Sequence, residues 1–411
     1  MSENELTTAY TSLYDDRLPL VSVVMPSYNS AQTVTKAVLS CVNQSYPNVE
    51  IIVVDNGSKD ETAETVRRLC ESYHFIMPDE SLRPRIRLIV QDNKGVSAAR
   101  NVGIKAAEGE WFMSLDSDDY YEPETIETLY DAVNASAEAD GDLSDRAETG
   151  FVHKDDTANY GIGQNPAATK QQCLEDGYIS RKAWHTAVSI CGIRKVWEKD
   201  AVRNQDFKPD AFAGTLKEFT DKAMAGLYDL NLIGTHSNKL YNTRLIRENS
   251  IYYNEGLQVN EDLDFVLRYL AVCEQVRVVP EIFLNYVQHD KGQSLINTFQ
   301  PHGLKGALIV LGSCNALFNK AGTCDAAIAD MDRRMFVHIC SFAGLMYYRS
   351  GYENGRIKAE LKAMCDNEDF RVLLMRLKPE CLKDKIAHFL LKHKLIGIYN
   401  EICRKVYKNK D

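Results

Sequence analysis

From Val21 to about Pro123 the chain alternates short apolar runs with stretches of helical period, and this alternation is the tightest constraint on its fold. Val21–Met25 is a continuous apolar run, the pattern of a strand buried on both faces of a parallel sheet. Pro26 has no N–H to give to a ladder and is expected to end that strand. Ser27, Tyr28, Asn29 and Ser30 then offer capping side chains ahead of Val34, Val38, Cys41 and Val42, which recur at helical spacing. A turn at Tyr46-Pro47-Asn48 leads into a second apolar strand, Val49–Val54, which completes one βαβ unit. The rhythm continues with helix Glu61–Leu69, strand Ile86–Val90, helix Val96–Ala107, strand Trp111–Leu115 and a helix from about Pro123. Such alternation predicts an α/β fold around a doubly wound parallel sheet, with its binding crevice at the carboxyl ends of the strands. The polar residues that could do chemistry fall at those ends: Pro26–Asn29, Asp55–Ser58, Asn93–Gly95 and Asp116–Asp119.

The rhythm breaks between about Gly141 and Ala183, a Gly-, Asp-, Asn- and Ala-rich stretch with no sustained period, read as an insertion. Pattern returns with a strand at Thr186–Cys191 and a helix around Phe219, Ala223 and Leu227. Helix Glu261–Cys273 opens with two acids where the helix dipole favours negative charge. Val276–Val279 and Ile282–Val287 read as strands, and everything from about Leu304 reads as helix. The expected organisation is a leader over residues 1–18, an α/β domain over 19–300 and a smaller α-helical region over 301–411. The eleven cysteines show no metal-ligand spacing and read as reduced, buried thiols, which suits the cytoplasm. The N-terminus has neither the basic nor the apolar region of a signal peptide, and no apolar run approaches the ~20 residues that span a bilayer. With 48 basic against 58 acidic residues, a net charge of −10, the chain is not expected to bind nucleic acid.

Asp116-Ser117-Asp118-Asp119 directly follows an apolar strand. Three carboxylates within four residues repel unless a cation or hydrogen-bond donors hold them, and hard oxygen ligands suit Mg²⁺ or Mn²⁺ bridging a diphosphate. A solvated acidic turn capping the next helix fits the same residues. A P-loop is absent, and the single GxG, at Gly161-Ile162-Gly163, follows no strand, which excludes a dinucleotide fingerprint. Tyr28 is placed to stack on a base, or to pack at its strand end; Asp55 is placed to accept from an imide N–H, or to form a turn before Asn56-Gly57.

Together, PSYNS after the first strand, VVDNGSKDET after the second, DNKGVSAARNVGI, LDSDD and HSNKLYNTRLIRENSIYYNEGLQVNEDLDF resemble the inverting family 2 glycosyltransferases of GT-A fold, over roughly Leu18 to Ser294. The resemblance implies a mixed, doubly wound nucleotide-diphospho-sugar transferase sheet and a nucleotide-sugar donor, most simply UDP-linked. The acceptor would be a glycan or lipid-linked hydroxyl in surface or capsular polysaccharide synthesis. By the same resemblance Pro26, Tyr28 and Asn29 line the base pocket and Asp55 reads the uracil. Asn93, Gly95 and Arg100 close over the nucleotide, and Asp116 approaches the ribose or the metal. Asp118 holds Mn²⁺ or Mg²⁺, with His289 as a nitrogen ligand that would favour Mn²⁺. Asp119 stands behind the metal ligand or caps the next helix. Asp262 is the implied general base, supported by Glu261, because an inverting displacement needs one carboxylate on the attacking face and neutralised charge on the leaving group. A haloacid-dehalogenase-type phosphohydrolase also carries a DxD after an apolar strand, and a non-catalytic module that only binds sugar nucleotides would keep the same fold. The insertion is a departure from the family pattern.

Residues 376–411 carry ten Lys or Arg against four acids, a net +6, which leaves −16 for the rest of the chain. Leu382, Ile386, Phe389 and Leu390, and then Leu395, Tyr399, Ile402 and Val406, form helical apolar stripes. Such a basic amphipathic end suits either packing on the α/β domain or peripheral contact with an anionic membrane at its cytoplasmic face.

Overall fold

The computed structural model describes residues 10–134, 187–197, 200–288, 301–347 and 351–407. The insertion between Gly141 and Ala183 and His289 lie outside the described residues.

A small sheet forms from β1 (Tyr10–Leu13), β4 (Tyr73–Ile76) and β5 (Leu82–Pro84). The main sheet uses β2 (Val21–Ser27), β3 (Val49–Asp55), β6 (Ile86–Val90), β7 (Trp111–Ser114), β8 (Tyr120–Tyr121), β9 (Ala187–Val196), β10 (Gln205–Phe207), β11 (Phe212–Thr215), β12 (Lys239–Asn242) and β13 (Gln275–Val287). Its order is β11-β13-β9-β12-β7-β2-β3-β6, with β8 on β13 and β10 on β9. Strands β7, β2, β3 and β6 are mutually parallel, as the alternation with helices α1 (Val34–Val42), α2 (Thr62–Ser72) and α3 (Val96–Ala106) requires. Beyond β7 the sheet is mixed: β12 runs antiparallel to both β7 and β9. The purely parallel reading of the strand–helix rhythm is thereby corrected, and the mixed sheet of the resemblance holds. The helix α4 (Thr125–Asn134) packs on β9 and β13.

Three local expectations change. Pro26 does not end β2; it pairs in register with Val54 of β3. The β7 ladder on its other side stops at Val24, so no pairing partner there asks Pro26 for an N–H. Helix α1 starts without a side-chain cap, and the Ser30 carbonyl instead accepts from the Thr33 and Val34 N–H groups. The two strands read at 276–287 are one strand, β13, whose register on β9 shifts between Val278 and Leu284. The helix around Phe219 is likewise two short helices, α5 (Leu216–Lys222) and α6 (Met224–Asp229).

Every residue of β2 and β3 is buried, which is why both read as unbroken apolar runs. Helix α3 lies so close to β2 that a Cβ on Gly103 would sit 2.2 Å from Val24 Cγ1. The remaining helices of the α/β half are α7 (Thr243–Glu248) and α8 (Glu261–Leu270). They are followed by α9 (Gly303–Ala321), α10 (Asp325–Leu345), α11 (Asn354–Asp366), α12 (Glu368–Arg376), α13 (Leu382–Lys392) and α14 (Ile396–Tyr407). Helix α9 packs along α8, Ser313 Oγ donates to Asp264 Oδ1 at 2.7 Å, and one hydrophobic cluster extends from Val21 to Cys403. The helical region is thus joined to the sheet half by shared core.

Candidate functional site

The carboxyl ends of β2, β3 and β6 bring three loops together. Asn29 takes a left-handed φ of 51°, its N–H bonds Ser58 Oγ at 2.9 Å, and its Oδ1 accepts from Lys59 N at 2.8 Å. Gly57 also has positive φ (77°), and a Cβ there would lie 2.9 Å from Asn93 N, so only glycine lets the β3 and β6 loops meet. Asn56 Oδ1 accepts from Gln91 Nε2 and Lys94 N, and Asn93 Oδ1 accepts from Asn56 Nδ2 and Gly95 N. Gly95, at φ 91°, leads into α3. In this cradle Asp55 is 2% exposed. Its Oδ2 faces Ser58 N at 3.3 Å, while its buried Oδ1 has no hydrogen-bond partner among the described residues. Tyr28, 46% exposed, stands at the same strand end beside buried Pro26.

The acidic turn follows β7. Asp119 N bonds the Asp116 carbonyl, and Ser117 Oγ lies 2.7 Å from Ser30 Oγ, tying the turn to the β2 loop. Buried Tyr121 donates to the carbonyls of Ser114 and Ser237, which fastens the turn to the segment ahead of β12. Asp119 Oδ1 accepts from Val287 N at 2.8 Å, and its buried Oδ2 has no hydrogen-bond partner among the described residues. Burial, then the charges of Asp118 and Asp116, push the Asp119 carboxyl well up. Asp116 and Asp118 are half-buried.

The centre of the site is Arg100, from α3, whose side chain is only 4% exposed. Its guanidinium donates to Asp262 Oδ1 at 2.8 Å and to Asp116 Oδ1 at 2.9 Å, and lies 3.5 Å from Glu261 Oε1. The Tyr253 ring sits 5.1 Å from its carbon. A second nitrogen-bearing side chain in reach is His236, almost fully buried: Nδ1 is 3.0 Å from Asp262 Oδ2, and Nε2 is 3.9 Å from Asp116 Oδ1. Burial alone would raise the Asp262 carboxyl, but Arg100 and then His236 outweigh it and hold it down at about 2. Glu261, beside it, is pushed up to about 7 by burial and by the Asp262 charge. The two acids that open α8 therefore differ in character: one is held ionised, the other protonates near neutrality.

Beneath them Lys239 is fully buried and donates to the carbonyls of Leu232 and Thr235 and to Asn238 Oδ1, pinning the loop that carries His236. Burial brings its ammonium down to about 7. Asn101, one residue after Arg100, accepts from Tyr253 N and donates to the Tyr253 carbonyl and to Glu255.

Thus the structure joins Arg100, Asp116, Glu261 and Asp262 in one ion-pair cluster, and gathers Pro26, Tyr28, Asn29, Asp55, Asn93 and Gly95 at the neighbouring strand ends. Among the described residues no three His, Cys, Asp or Glu side chains converge as a metal-binding group. His236, Lys239 and Tyr253 were not singled out from the sequence. The first two lie inside HSNKLY, where a His and a Lys three residues apart in an apolar context were the available signal.

The match to known proteins falls on these elements. The family model described as glycosyl transferase family 2 matches residues 22–186. Over residues 22–186 the chain is similar to this family. Glycosyltransferase GlyG of Streptococcus pneumoniae is 41% identical over 125 residues, 30% of this chain and 37% of that protein. Chondroitin synthase of Escherichia coli is 36% identical over 115 residues, 28% of this chain and 15% of the synthase. The chain thus spans well under half the length of these relatives. In structure it is similar to residues 1–349 of S. aureus TarS, solved with UDP-GlcNAc, at a TM-score of 0.61 and 19% identity, covering 95% of this chain and 91% of that one. The family 2 match and the likeness in fold to TarS favour the glycosyltransferase resemblance over the phosphohydrolase alternative.

Proposed function

We propose that the chain is a metal-dependent, inverting glycosyltransferase that moves a sugar from a UDP-sugar to a hydroxyl of a glycan or lipid-linked acceptor in polysaccharide synthesis at the cytoplasmic side. The observation that carries this reading is the pairing of Asp116, at the donor end of the sheet, with Asp262, from a helix far along the chain, through one buried arginine. An inverting displacement needs an acid at each side of the reacting sugar, and here they are held across a single guanidinium.

The donor end supports a nucleotide. The unpaired Oδ1 of Asp55 is a buried acceptor at the base end, and leaving such a group unsatisfied costs about 1–3 kcal/mol. The N–H of a uracil ring would satisfy it, with Tyr28 stacked on the base. TarS has been solved with UDP and with UDP-GlcNAc, which supports the same donor class here. The Asp116–Asp119 turn offers only hard oxygen atoms, and a divalent cation would relieve the repulsion among its three carboxylates. Asp118, with Asp116 beside it, would hold Mn²⁺ or Mg²⁺. The ion, when bound, neutralises charge on the departing diphosphate.

This chain's residues do the rest. As the acceptor oxygen bonds to C1 and the C1–phosphate oxygen bond breaks, the hydroxyl proton passes to Asp262. A carboxylate held at about 2 is a weak base, so it takes the proton late, when the attacking oxygen has become strongly acidic. Arg100 and His236 fix the orientation of both Asp262 oxygens. Glu261 stands at the same helix start as an acceptor contact.

A thermal-shift panel of UDP-, GDP-, CMP- and dTDP-sugars with and without Mn²⁺ tests the reading. A ligand that binds only the folded state at a hundredfold excess over Kd stabilises by about 2.7 kcal/mol. A Mn²⁺-dependent shift with a UDP-sugar, lost in Asp118→Ala, is expected; no shift with any nucleotide sugar overturns both this reading and the non-catalytic sugar-nucleotide-binding alternative. Inversion is read from the anomeric configuration of the product.

A further inference from the structure

The last two helices each have two apolar faces. Helix α13 buries Leu390 and Leu391, and α14 buries Tyr399 and Cys403, where the two pack on each other and on α11 and α12. These inner faces explain why the helices dock at all. Yet α13 also leaves Leu382, Ile386 and Phe389 exposed, at 73%, 44% and 55%. Their spacing of four and three puts them on one side of the helix. Helix α14 likewise exposes Ile398, Ile402 and Val406, each four residues apart, with Leu395 just ahead of them. Packing within the chain accounts for the first set of apolar residues and not for the second.

The charge around the second set is one-sided. Lys383, Lys385, Lys392, Arg404 and Lys405 are exposed on the same two helices, against the acids Asp384 and Glu401. Over residues 376–411 the balance is +6, in a chain whose remainder carries −16. We propose that the outer faces of α13 and α14 form a docking surface for an anionic lipid bilayer, on which the protein lies peripherally. A bilayer surface meets both features at once: headgroup phosphates pair with the lysines, and hydrocarbon just below receives Leu382, Ile386, Phe389, Ile398 and Ile402. The lysine stems reach outward while their ammonium groups stay at the headgroups. A second copy of this chain seated face to face would set the same excess of cations, five against two acids, opposite itself, which repels. An acidic protein would answer the charge but not the rows of apolar side chains between the lysines. Among the described residues no helix is long and apolar enough to cross a membrane, so the contact is along the surface. This inference does not depend on which sugar is transferred.

The test is co-sedimentation of the full chain with phosphatidylcholine vesicles, with and without added phosphatidylglycerol. Binding is expected only to the anionic vesicles and is weakened by salt. The variant K383Q/K385Q/R404Q/K405Q removes four surface cations and is expected to bind on the order of a thousandfold more weakly. The variant I386S/F389S/I402S, which changes only exposed side chains, is expected to lose binding while melting at the wild-type temperature. Failure of the wild-type chain to sediment with anionic vesicles overturns the proposal, as does equal recovery of the variants. Light scattering gives the competing outcome: a dimer that I386S/F389S/I402S converts to monomer would assign the face to a second copy instead.

Discussion

Replacing Arg100 with Met keeps a similar volume in the core while removing the charge that three carboxylates share. Arg100 is almost wholly buried, contacts Asp262 and Asp116 at 2.8 and 2.9 Å, and faces Glu261 at 3.5 Å. Removing one partner of a buried ion pair typically costs about 3–5 kcal/mol, because the other charge is left uncompensated. Part of that cost can be worked from Asp262 alone. Its fall from an ordinary 3.8 to about 2 corresponds to about 2 kcal/mol of stabilisation, shared among Arg100, His236 and Lys239. Because the folded-state value is depressed, that stabilisation is present above pH 3.8 and is lost as pH falls through about 2. In Arg100→Met the values of Asp262 and Glu261 both rise, since Arg100 lowers each of them. The variant's carboxyls therefore take up protons at higher pH, which relieves their repulsion. Urea unfolding at about pH 7.5 is expected to show a deficit of about 3 kcal/mol or more against wild type, shrinking markedly at about pH 4.5. A deficit equal at both pH values would mean that lost packing, not uncompensated charge, is responsible, and a deficit below about 1 kcal/mol would refute the buried-cluster reasoning altogether.

Asp262→Asn is expected to lower transfer by roughly 10²–10⁴-fold with donor binding retained, measured as kcat against the nucleotide-sugar thermal shift; loss of donor binding instead would place Asp262 on the wrong side of the sugar. His236→Gln removes one of the groups that lower Asp262, so the acid limb of kcat/KM should move to higher pH, and an unmoved profile would separate His236 from the base. Gly103→Ala forces a Cβ against Val24 and should destabilise by about 1–3 kcal/mol in chemical melts, whereas an unchanged midpoint would show that α3 can lift off β2. Glu261→Gln mimics the protonated acid. Since Glu261 is raised to about 7, its ionisation penalises the fold only as pH climbs from its ordinary 4.5, so the variant should gain stability relative to wild type at about pH 8 and little at about pH 5.

The strands β2, β3, β6 and β7 were legible because burial on both faces leaves a run of apolar residues that no other setting demands. Asp55, Asp116 and Asp118 were legible because polar residues directly after such runs must stand at the strands' carboxyl ends. Pro26 misled, since a proline's place depends on whether a neighbouring strand lies on its N–H side, and that is a property of the sheet. The parallel reading failed beyond β7 for a similar reason: a strand's direction is set by the path of its connection, which short-range periodicity does not record.

The sequence by itself determined the βαβ core, the acids available at its strand ends and the basic, apolar character of its last two helices, because each is written in local composition and period. Only the tertiary structure decided that Arg100 stands between Asp116 and Asp262, that His236 completes the hold on the latter, and that Glu261 and Asp262 differ in acidity although adjacent. These are consequences of burial and of charges brought from distant parts of the chain to within about 3 Å. Electrostatic energy in a low-dielectric interior depends on distance in space, and sequence separation carries no record of it.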